Sequence, residues 1–291
     1  MNAPAAPSPF FSLPRFVRLA RVQWAERWRG WAGFALAGAL LYALLLALAV
    51  GNNHSHNALQ TSGQAELYAA GLLLSGPVFA GLYFQGLRQP GAALLLLMRP
   101  ASVFEKWLLA ALTLLLAYPL AYTLVIGALN GLGAALEYQL AVAHFQSLSE
   151  AQRGSLTMPR PQQWALFHPL RMAPHPDRAG LYDAVADRLG VALMFAGLCG
   201  FAVLGSLWFR RAPAIKTVLL GLALFMATGL LDAVGDGVQL SRLELAQLLP
   251  GSLQAQQASA LQQLVVALFW LGTPALLWLA AWRALHEREL A

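Results

Sequence analysis

Residues 31–50 read WAGFALAGALLYALLLALAV and contain no charged side chain. A helix needs about 20 predominantly apolar residues to cross the hydrocarbon core of a bilayer, and this stretch has that length. It begins only after about 30 residues and is too long for the apolar region of a signal peptide, and no small-residue cleavage site stands at Gly51-Asn52-Asn53-His54. We therefore expect a membrane-spanning helix rather than a cleaved signal peptide.

The composition of the whole chain also favours a lipid environment. Of 291 residues, 58% are hydrophobic and only 11% are charged, whereas soluble domains carry about 25% charged residues. A soluble globule of this composition would expose large apolar patches, and a disordered chain would need low hydrophobicity and high charge. The single cysteine, Cys199, excludes an intramolecular disulfide and a thiolate metal cluster.

Five further stretches have the length and composition of membrane-spanning helices. The predicted fold is therefore all-α: a polytopic integral membrane protein with six transmembrane helices. The predicted spans are Trp31 to Val50, Leu67 to Leu87, Trp107 to Leu129, Leu189 to Phe209, Thr217 to Asp236 and Leu264 to Trp282. Spans one to three thus fall within residues 31–129, and spans four to six within 189–282. The fifth is the least apolar, because it reaches full length only by including Asp232.

The distribution of Lys and Arg predicts the orientation, because short cytoplasmic loops carry an excess of these residues. Thirteen of the 19 basic residues fall on one side of the six spans. They are Arg15, Arg18, Arg21, Arg27, Arg29, Arg88, Arg99, Lys106, Arg210, Arg211, Lys216, Arg283 and Arg288. Both termini are therefore predicted to be cytoplasmic. The net charge of +6 is explained by these membrane edges, and no nucleic-acid partner is expected.

The segments outside the predicted spans differ in composition. Residues 1–13 are rich in Pro and Ala and are expected to be a disordered tail, and residues 283–291 form a cytoplasmic tail. Residues 14–30 predict an amphipathic interfacial helix on an anionic leaflet, or else a positive flank that only fixes orientation. Residues 130–188 form the one sizeable extracytoplasmic loop, which is long enough to cap the bundle. Five prolines prevent a continuous helix through its middle, and residues 134–150 are expected to be helical.

The sequence contains no motif of a familiar catalytic or nucleotide-binding site. An HExxH pair, a GxSxG turn and a Gly-rich phosphate loop ending in Lys-Ser or Lys-Thr are all missing. The chain is therefore predicted not to be an enzyme and to hold no metal or cofactor. Asp232 and Asp236 share a helical face near the outer end of span five. They favour a helix boundary, with a weak outer cation site as the alternative.

No Asp, Glu, Lys or Arg lies near the middle of any predicted span. Ion-coupled transporters and proton relays need titratable groups at membrane depth and retain them despite their insertion cost. A proton gradient therefore has no obvious carrier in this chain. If the bundle transports a substrate, we expect another protein to supply the energy.

The loop between spans two and three ends in RPASVFEKW at residues 99–107. Pro100 ends any preceding helix, and Ser102 with Glu105 has the Ser-x-x-Glu spacing of a capping box at the start of span three. A carboxylate at this position also lies at the positive end of the helix dipole. The pattern predicts a rigid corner where the chain re-enters the membrane.

This corner resembles the Leu-Pro-Ala-Ser element followed by Glu-Lys in bacterial six-span membrane proteins related to ABC-2-type transporter permeases, although Arg99 stands where that family has a leucine. A second similar stretch is LGSLWFRR at residues 204–211, with Lys216-Thr217 shortly after. The resemblance implies a multi-pass protein of the bacterial inner membrane whose cytoplasmic loop docks on a separate ATPase. By resemblance, the docking candidates are Arg88, Arg99, Pro100, Ser102, Glu105 and Lys106, with Arg210, Arg211 and Lys216 at a second cytoplasmic turn.

Two functions are therefore expected from the sequence. The first is the permease subunit of an ABC-type exporter. It would pair with an identical or a related membrane subunit, and it would contact membrane lipids. A cytoplasmic P-loop ATPase would bind ATP and Mg²⁺ and drive it. The alternative is a non-transporting membrane scaffold or sensor that binds an envelope partner through its outer loop, residues 130–188.

Overall fold

The computed structural model describes most of the chain. The described ranges are 10–52, 58–88, 98–154, 157–169, 181–209, 216–224, 226, 244–249 and 252–290. Within these ranges the backbone is helical or irregular, and no β-strand is present. The all-α prediction is therefore confirmed for the described chain. Of the predicted disordered tail at 1–13, residues 1–9 lie outside the described residues, whereas residues 10–13 are described and Leu13 begins the first helix.

The main helices of the described chain are numbered in order. They are α1 (Leu13–Asn52), α2 (Thr61–Tyr83), α3 (Val103–Ser147), α4 (Leu181–Trp208), α5 (216–224) and α6 (Ala260–Arg288, with helical backbone continuing to Leu290). Single turns of 3₁₀ helix lie at Gln85–Arg88, Pro161–Trp164 and Leu245–Leu248. Short α-helices lie at Glu150–Arg153 and Leu253–Gln257.

Five of these helices are long and apolar enough to cross a membrane. They are α1, α2, α3, the Val185–Trp208 part of α4, and α6. Many of their leucines are exposed on the outside of the bundle, such as Leu36, Leu44 and Leu124. Exposed apolar surface of this extent is typical of a protein that contacts lipid. The structure is therefore compatible with a multi-pass membrane protein.

The predicted span from Thr217 to Asp236 is described only in part. Residues 216–224 and 226 are helical. The rest of that stretch, including Asp232 and Asp236, lies outside the described residues. The described chain thus contains five candidate spans, and the predicted total of six is not confirmed.

The N-terminal region differs from the prediction. The sequence predicts an interfacial helix at 14–30 that is separate from the first span, whereas the structure shows one continuous helix, α1, with no break at Gly30. A single glycine costs a helix only about 1 kcal/mol, and its neighbours favour helix. The 40 residues of α1 extend about 60 Å, which is twice the thickness of about 30 Å of a hydrocarbon core. A separate interfacial helix is therefore not confirmed.

α3 is also longer than predicted. The sequence places the end of span three at Leu129 and a separate helical segment at 134–150, but a single helix continues through both to Ser147. Asn130, Ala134, Glu137 and Ala141 are all buried, and their spacing of three to four residues forms one helix face. That face packs against the rest of the chain, and its burial stabilises the helix beyond Leu129.

α4 makes its main contacts with α2 on one side and α6 on the other. Two glycines permit this close packing. A Cβ at Gly76 of α2 would lie 2.2 Å from the ring of Phe195, and a Cβ at Gly200 of α4 would lie 3.1 Å from Trp278. α1 packs mainly on α3, and its Tyr42 hydroxyl donates a 2.8 Å hydrogen bond to Asn130. α3 also contacts α2 and α6, and one buried core joins these five helices.

α3 and α6 each contain a π turn, at Thr113–Ala117 and Leu268–Gly272 respectively. Each turn ends two residues before a proline, Pro119 or Pro274. Proline has no amide hydrogen and its ring collides with the carbonyl four residues earlier. A wider turn immediately before it relieves that collision while the helix continues.

Candidate functional site

The capping box predicted at the start of α3 is confirmed. Ser102 has an extended backbone conformation, and its hydroxyl accepts a 3.2 Å hydrogen bond from the Glu105 amide. The Ser102 amide in turn donates a 3.0 Å bond to the Glu105 carboxylate. This reciprocal pair satisfies two amides that the first turn of a helix leaves without partners. The sequence pattern was sufficient here because all the contacts are local.

The same carboxylate also holds the beginning of α1. Glu105 is fully buried, and it accepts 2.7 Å hydrogen bonds from the Ser12 amide and from Nε of Arg15. The Ser102 hydroxyl donates a 2.6 Å bond to the carbonyl of Phe10, whose ring stacks on Phe104 at 4.4 Å. We call Ser12, Arg15, Ser102 and Glu105 the α1–α3 corner. These contacts fix the start of α1 to the start of α3.

Beside this corner lies a crevice between α1, the end of α2 and the start of α3. We call it the basic crevice, and it is lined by Leu19, Gln23, Arg27, Tyr83, Phe84, Arg99 and Lys106. Arg27 donates a hydrogen bond to the carbonyl of Tyr83, and Gln23 donates one to the Tyr83 hydroxyl. Arg99 forms an ion pair with Glu26 on α1. Lys106 is only 6% exposed.

The structure brings most of the predicted docking residues of the first cytoplasmic loop to this one end of the bundle. The α1–α3 corner contains Ser102 and Glu105, and the basic crevice contains Arg99 and Lys106. Pro100 lies in the turn between Arg99 and Ser102. Arg88 ends the short 3₁₀ turn that follows α2.

The second predicted cytoplasmic turn is described only at its ends. The ammonium of Lys216 lies 5.7 Å from the centre of the Phe209 ring, which is within cation–π distance. Arg210 and Arg211 lie outside the described residues. So does the predicted carboxylate pair Asp232 and Asp236. Among the residues that are described, no group of three His, Cys, Asp or Glu side chains could share a metal ion.

A second buried carboxylate, which the sequence analysis did not identify, lies far along α3. Glu137 is 0% exposed and accepts hydrogen bonds from the amides of Ala58 and Leu59 at 2.8 and 2.7 Å. It also accepts a 3.0 Å bond from Nε1 of Trp164. The carboxylate thus joins three separate parts of the chain: α3, the turn before α2, and the Pro161–Trp164 turn.

Gln64 at the start of α2 completes this second connection. Its side-chain amide donates to the carbonyls of Leu59 and Ala165, and its side-chain oxygen accepts a 2.9 Å bond from the Phe167 amide. Residues 157–169 of the predicted outer loop are therefore held against the start of α2 and the later part of α3. The sequence offered one signal, a glutamate within the otherwise apolar run ALEYQLAVA at 135–143.

Family models, curated proteins and solved structures were compared with the chain, and none matches. The function must therefore be argued from the chain's own geometry. The α1–α3 corner can transmit a displacement between helices, because a fully buried carboxylate with several donors resists rearrangement. The basic crevice can attract anions, because it concentrates three cationic side chains.

Proposed function

We propose that this protein is the transmembrane permease subunit of an ABC-type exporter, powered by a separate cytoplasmic ATPase. The proposal rests on one observation. The loop that would contact an ATPase leads directly into the α1–α3 corner, where Glu105 joins the first turn of α3 to Ser12 and Arg15. A force applied to that loop would therefore act on two long helices together. This is the mechanical requirement for a subunit driven from outside.

The distribution of buried charge supports an external source of energy. In the described chain the buried charged side chains are Glu105, Lys106 and Glu137. Two of them lie in the first turn of α3, and the third lies beyond the predicted end of span three at Leu129. Coupling to an ion gradient needs a titratable group at membrane depth. Hydrolysis of ATP by a partner subunit, with its own Mg²⁺, needs no such group in this chain.

The burial of these side chains separates two roles within the predicted docking set. Glu105 and Lys106 are 0% and 6% exposed, so they would position the helices rather than touch a partner. A direct contact with the ATPase would be made by the turns that precede α3, which contain Arg88 and Arg99. Two copies of the chain, or one copy and a related chain, would form the pathway.

Co-expression with candidate P-loop ATPases from neighbouring genes tests the proposal. We expect the two proteins to co-purify from detergent, and we expect the membrane subunit to change the rate of ATP hydrolysis. Arg88→Glu should weaken the complex, because Arg88 lies in the turn that precedes the docking loop. Arg153→Glu is the matched control, since Arg153 is an exposed cation beyond the opposite end of α3. The proposal would be contradicted if no complex forms, or if Arg88→Glu and Arg153→Glu weaken the complex equally.

The scaffold or sensor function is the second candidate. One observation favours it: the predicted outer segment 157–169 is held in place by Gln64 yet exposes Met158 and Leu166, at 61% and 56%. A fixed segment with exposed apolar side chains is suited to binding a partner. Met158→Ser with Leu166→Ser should then abolish capture of an envelope partner without changing ATPase stimulation. The exporter hypothesis expects the opposite result: Arg88→Glu should reduce ATPase stimulation, and the double substitution at Met158 and Leu166 should not.

A further inference from the structure

The basic crevice brings several positive charges close together. Three of its seven lining residues are cations, namely Arg27, Arg99 and Lys106, and none is a carboxylate. Glu26, which pairs with Arg99, is not among the lining residues and its side chain is 50% exposed. The lining of the crevice is therefore strongly positive. Like charges held close together repel one another, and an anion bound among them relieves that repulsion.

Contacts within the protein hold these cations in place. The Arg27 guanidinium donates to the carbonyl of Tyr83, at the end of α2. Arg99 is oriented by Glu26, and Lys106 is set in the first turn of α3 immediately after the buried Glu105. An anion that enters the crevice would therefore meet cations from two helices and a loop, already gathered together. Preorganisation of this kind reduces the entropy cost of binding.

The shape of the crevice limits the size of that anion. Its enclosed part has room for about one water molecule, so a larger group would lie at the open mouth rather than inside. Gln23 and Tyr83 add neutral polar groups to the lining, while Leu19 and Phe84 add apolar surface beside them. A compact oxyanion with an apolar attachment suits this combination. Guanidinium groups are especially well matched to phosphate oxygens.

We propose that the basic crevice is a binding site for a phosphate group. The group would come from the headgroup of an anionic lipid or from inorganic phosphate, and both sources share this recognition. The site lies where α3 begins, just before the predicted membrane boundary at Trp107. Basic pockets between membrane helices are suited to anionic headgroups. The inference does not depend on transport, so it can hold even if the proposed function fails.

The test uses the full chain, purified in detergent and freed of lipid. Cys199 is the only cysteine and is fully buried, so its reaction with a fluorogenic maleimide reports thermal unfolding. Dioleoyl phosphatidylglycerol should raise the unfolding midpoint in a saturable manner, whereas dioleoyl phosphatidylcholine should not. A parallel titration compares potassium phosphate with potassium chloride at equal ionic strength. A response to the lipid alone identifies a headgroup site, and a response to both identifies a general phosphate site.

Matched variants locate the response. Arg27→Gln with Lys106→Gln should weaken the apparent affinity for the responding ligand by about tenfold or more, since each removes a charge-assisted contact. Arg21→Gln with Arg29→Gln removes the same charge from exposed positions of α1 and should leave the affinity unchanged. Arg99→Gln provides a second site variant should the buried Lys106 prove necessary for folding. The proposal is overturned if the unmodified protein responds to neither ligand, or if the control pair loses affinity equally.

Discussion

Replacing Glu137 with glutamine should destabilise the protein far more than the loss of one surface charge would. The substitution preserves the size of the side chain but exchanges one carboxylate oxygen for an NH₂ group. Both oxygens of Glu137 are in use, one accepting from the Ala58 amide and the other from Leu59 and Trp164. Whichever way the amide is oriented, at least one buried N–H will face another donor.

The expected magnitude follows from these contacts. A hydrogen bond to a charged group contributes about 1.5–3 kcal/mol, and a buried donor left without a partner costs about 1–3 kcal/mol. Glu137→Gln should therefore lower the free energy of unfolding by about 2–4 kcal/mol, since these terms overlap and are not additive. In proteins of this size each kcal/mol shifts the thermal midpoint by about 2–4 °C.

Thermal unfolding followed by maleimide labelling of Cys199 measures this shift directly, because the thiol is buried in the folded state. Glu150→Gln is the matched control: it makes the same chemical change at an exposed position in the short helix Glu150–Arg153. Limited proteolysis should also cut residues 157–169 faster in Glu137→Gln, because one of the two connections that hold this segment is weakened. Midpoints for the two variants that agree within 1 °C would refute the reasoning.

Two further substitutions test other contacts by the same thermal assay. Gly76→Ala places a Cβ 2.2 Å from the ring of Phe195 and should cost about 1–3 kcal/mol by overpacking; Gly81→Ala in the same helix meets no atom within 4 Å and should be neutral or slightly stabilising. Ser102→Ala removes the cap from the Glu105 amide and should cost about 1 kcal/mol.

Each of these outcomes has a clear opposite. A Gly76→Ala variant as stable as Gly81→Ala would mean that α2 and α4 are not as closely packed as the Phe195 contact requires. A Ser102→Ala variant with an unchanged midpoint would mean that the Ser102–Glu105 capping box adds no net stability. Replacement by threonine, which also caps helices, should restore most of the loss at residue 102.

The sequence was most informative for features that depend on residues close together in the chain. Hydropathy located the apolar centres of the five candidate spans in the described chain, because crossing the bilayer demands a continuous apolar stretch. The capping box at Ser102 and Glu105 was predicted in full, since both partners lie within one turn.

Helix ends were less predictable than helix centres. α1 and α3 both pass through the positions where the sequence analysis placed boundaries, namely Gly30 and Leu129. A boundary requires a stop signal such as a proline or a capping glycine, and a fall in hydropathy alone is not one. Beyond Leu129, helix is maintained by tertiary burial of Asn130 and Glu137, which hydropathy does not report.

Long-range contacts could not be predicted at all. The pairing of Glu105 with Ser12 spans 93 positions of sequence, and that of Glu137 with Leu59 spans 78. A single sequence shows that a glutamate is present but not which amides it faces. The second role of Glu105, holding the start of α1 in addition to capping α3, is visible only in three dimensions.

The two carboxylates of α3 together explain how a movement at one end of the bundle could reach the other. Glu105 and Glu137 are 32 positions apart on one continuous helix, which places them about 48 Å from each other. Glu105 accepts from the backbone amide of Ser12, next to the first residue of α1, and Glu137 accepts from amides shortly after its last residue. α3 is therefore connected near its start to the first residues of α1 and farther along to the turn before α2, and the Tyr42–Asn130 hydrogen bond joins α1 and α3 between them.

We therefore expect α3 to carry a displacement of the α1–α3 corner to the turn before α2. The proposed function requires such behaviour, because a partner acts only at the α1–α3 corner. If the Glu137 connection were lost, a displacement of α3 would no longer be passed to the turn before α2. Glu137→Gln should then reduce any ATPase-driven activity by more than its effect on stability accounts for, whereas the destabilised Gly76→Ala should lose activity only in proportion to its loss of folded protein.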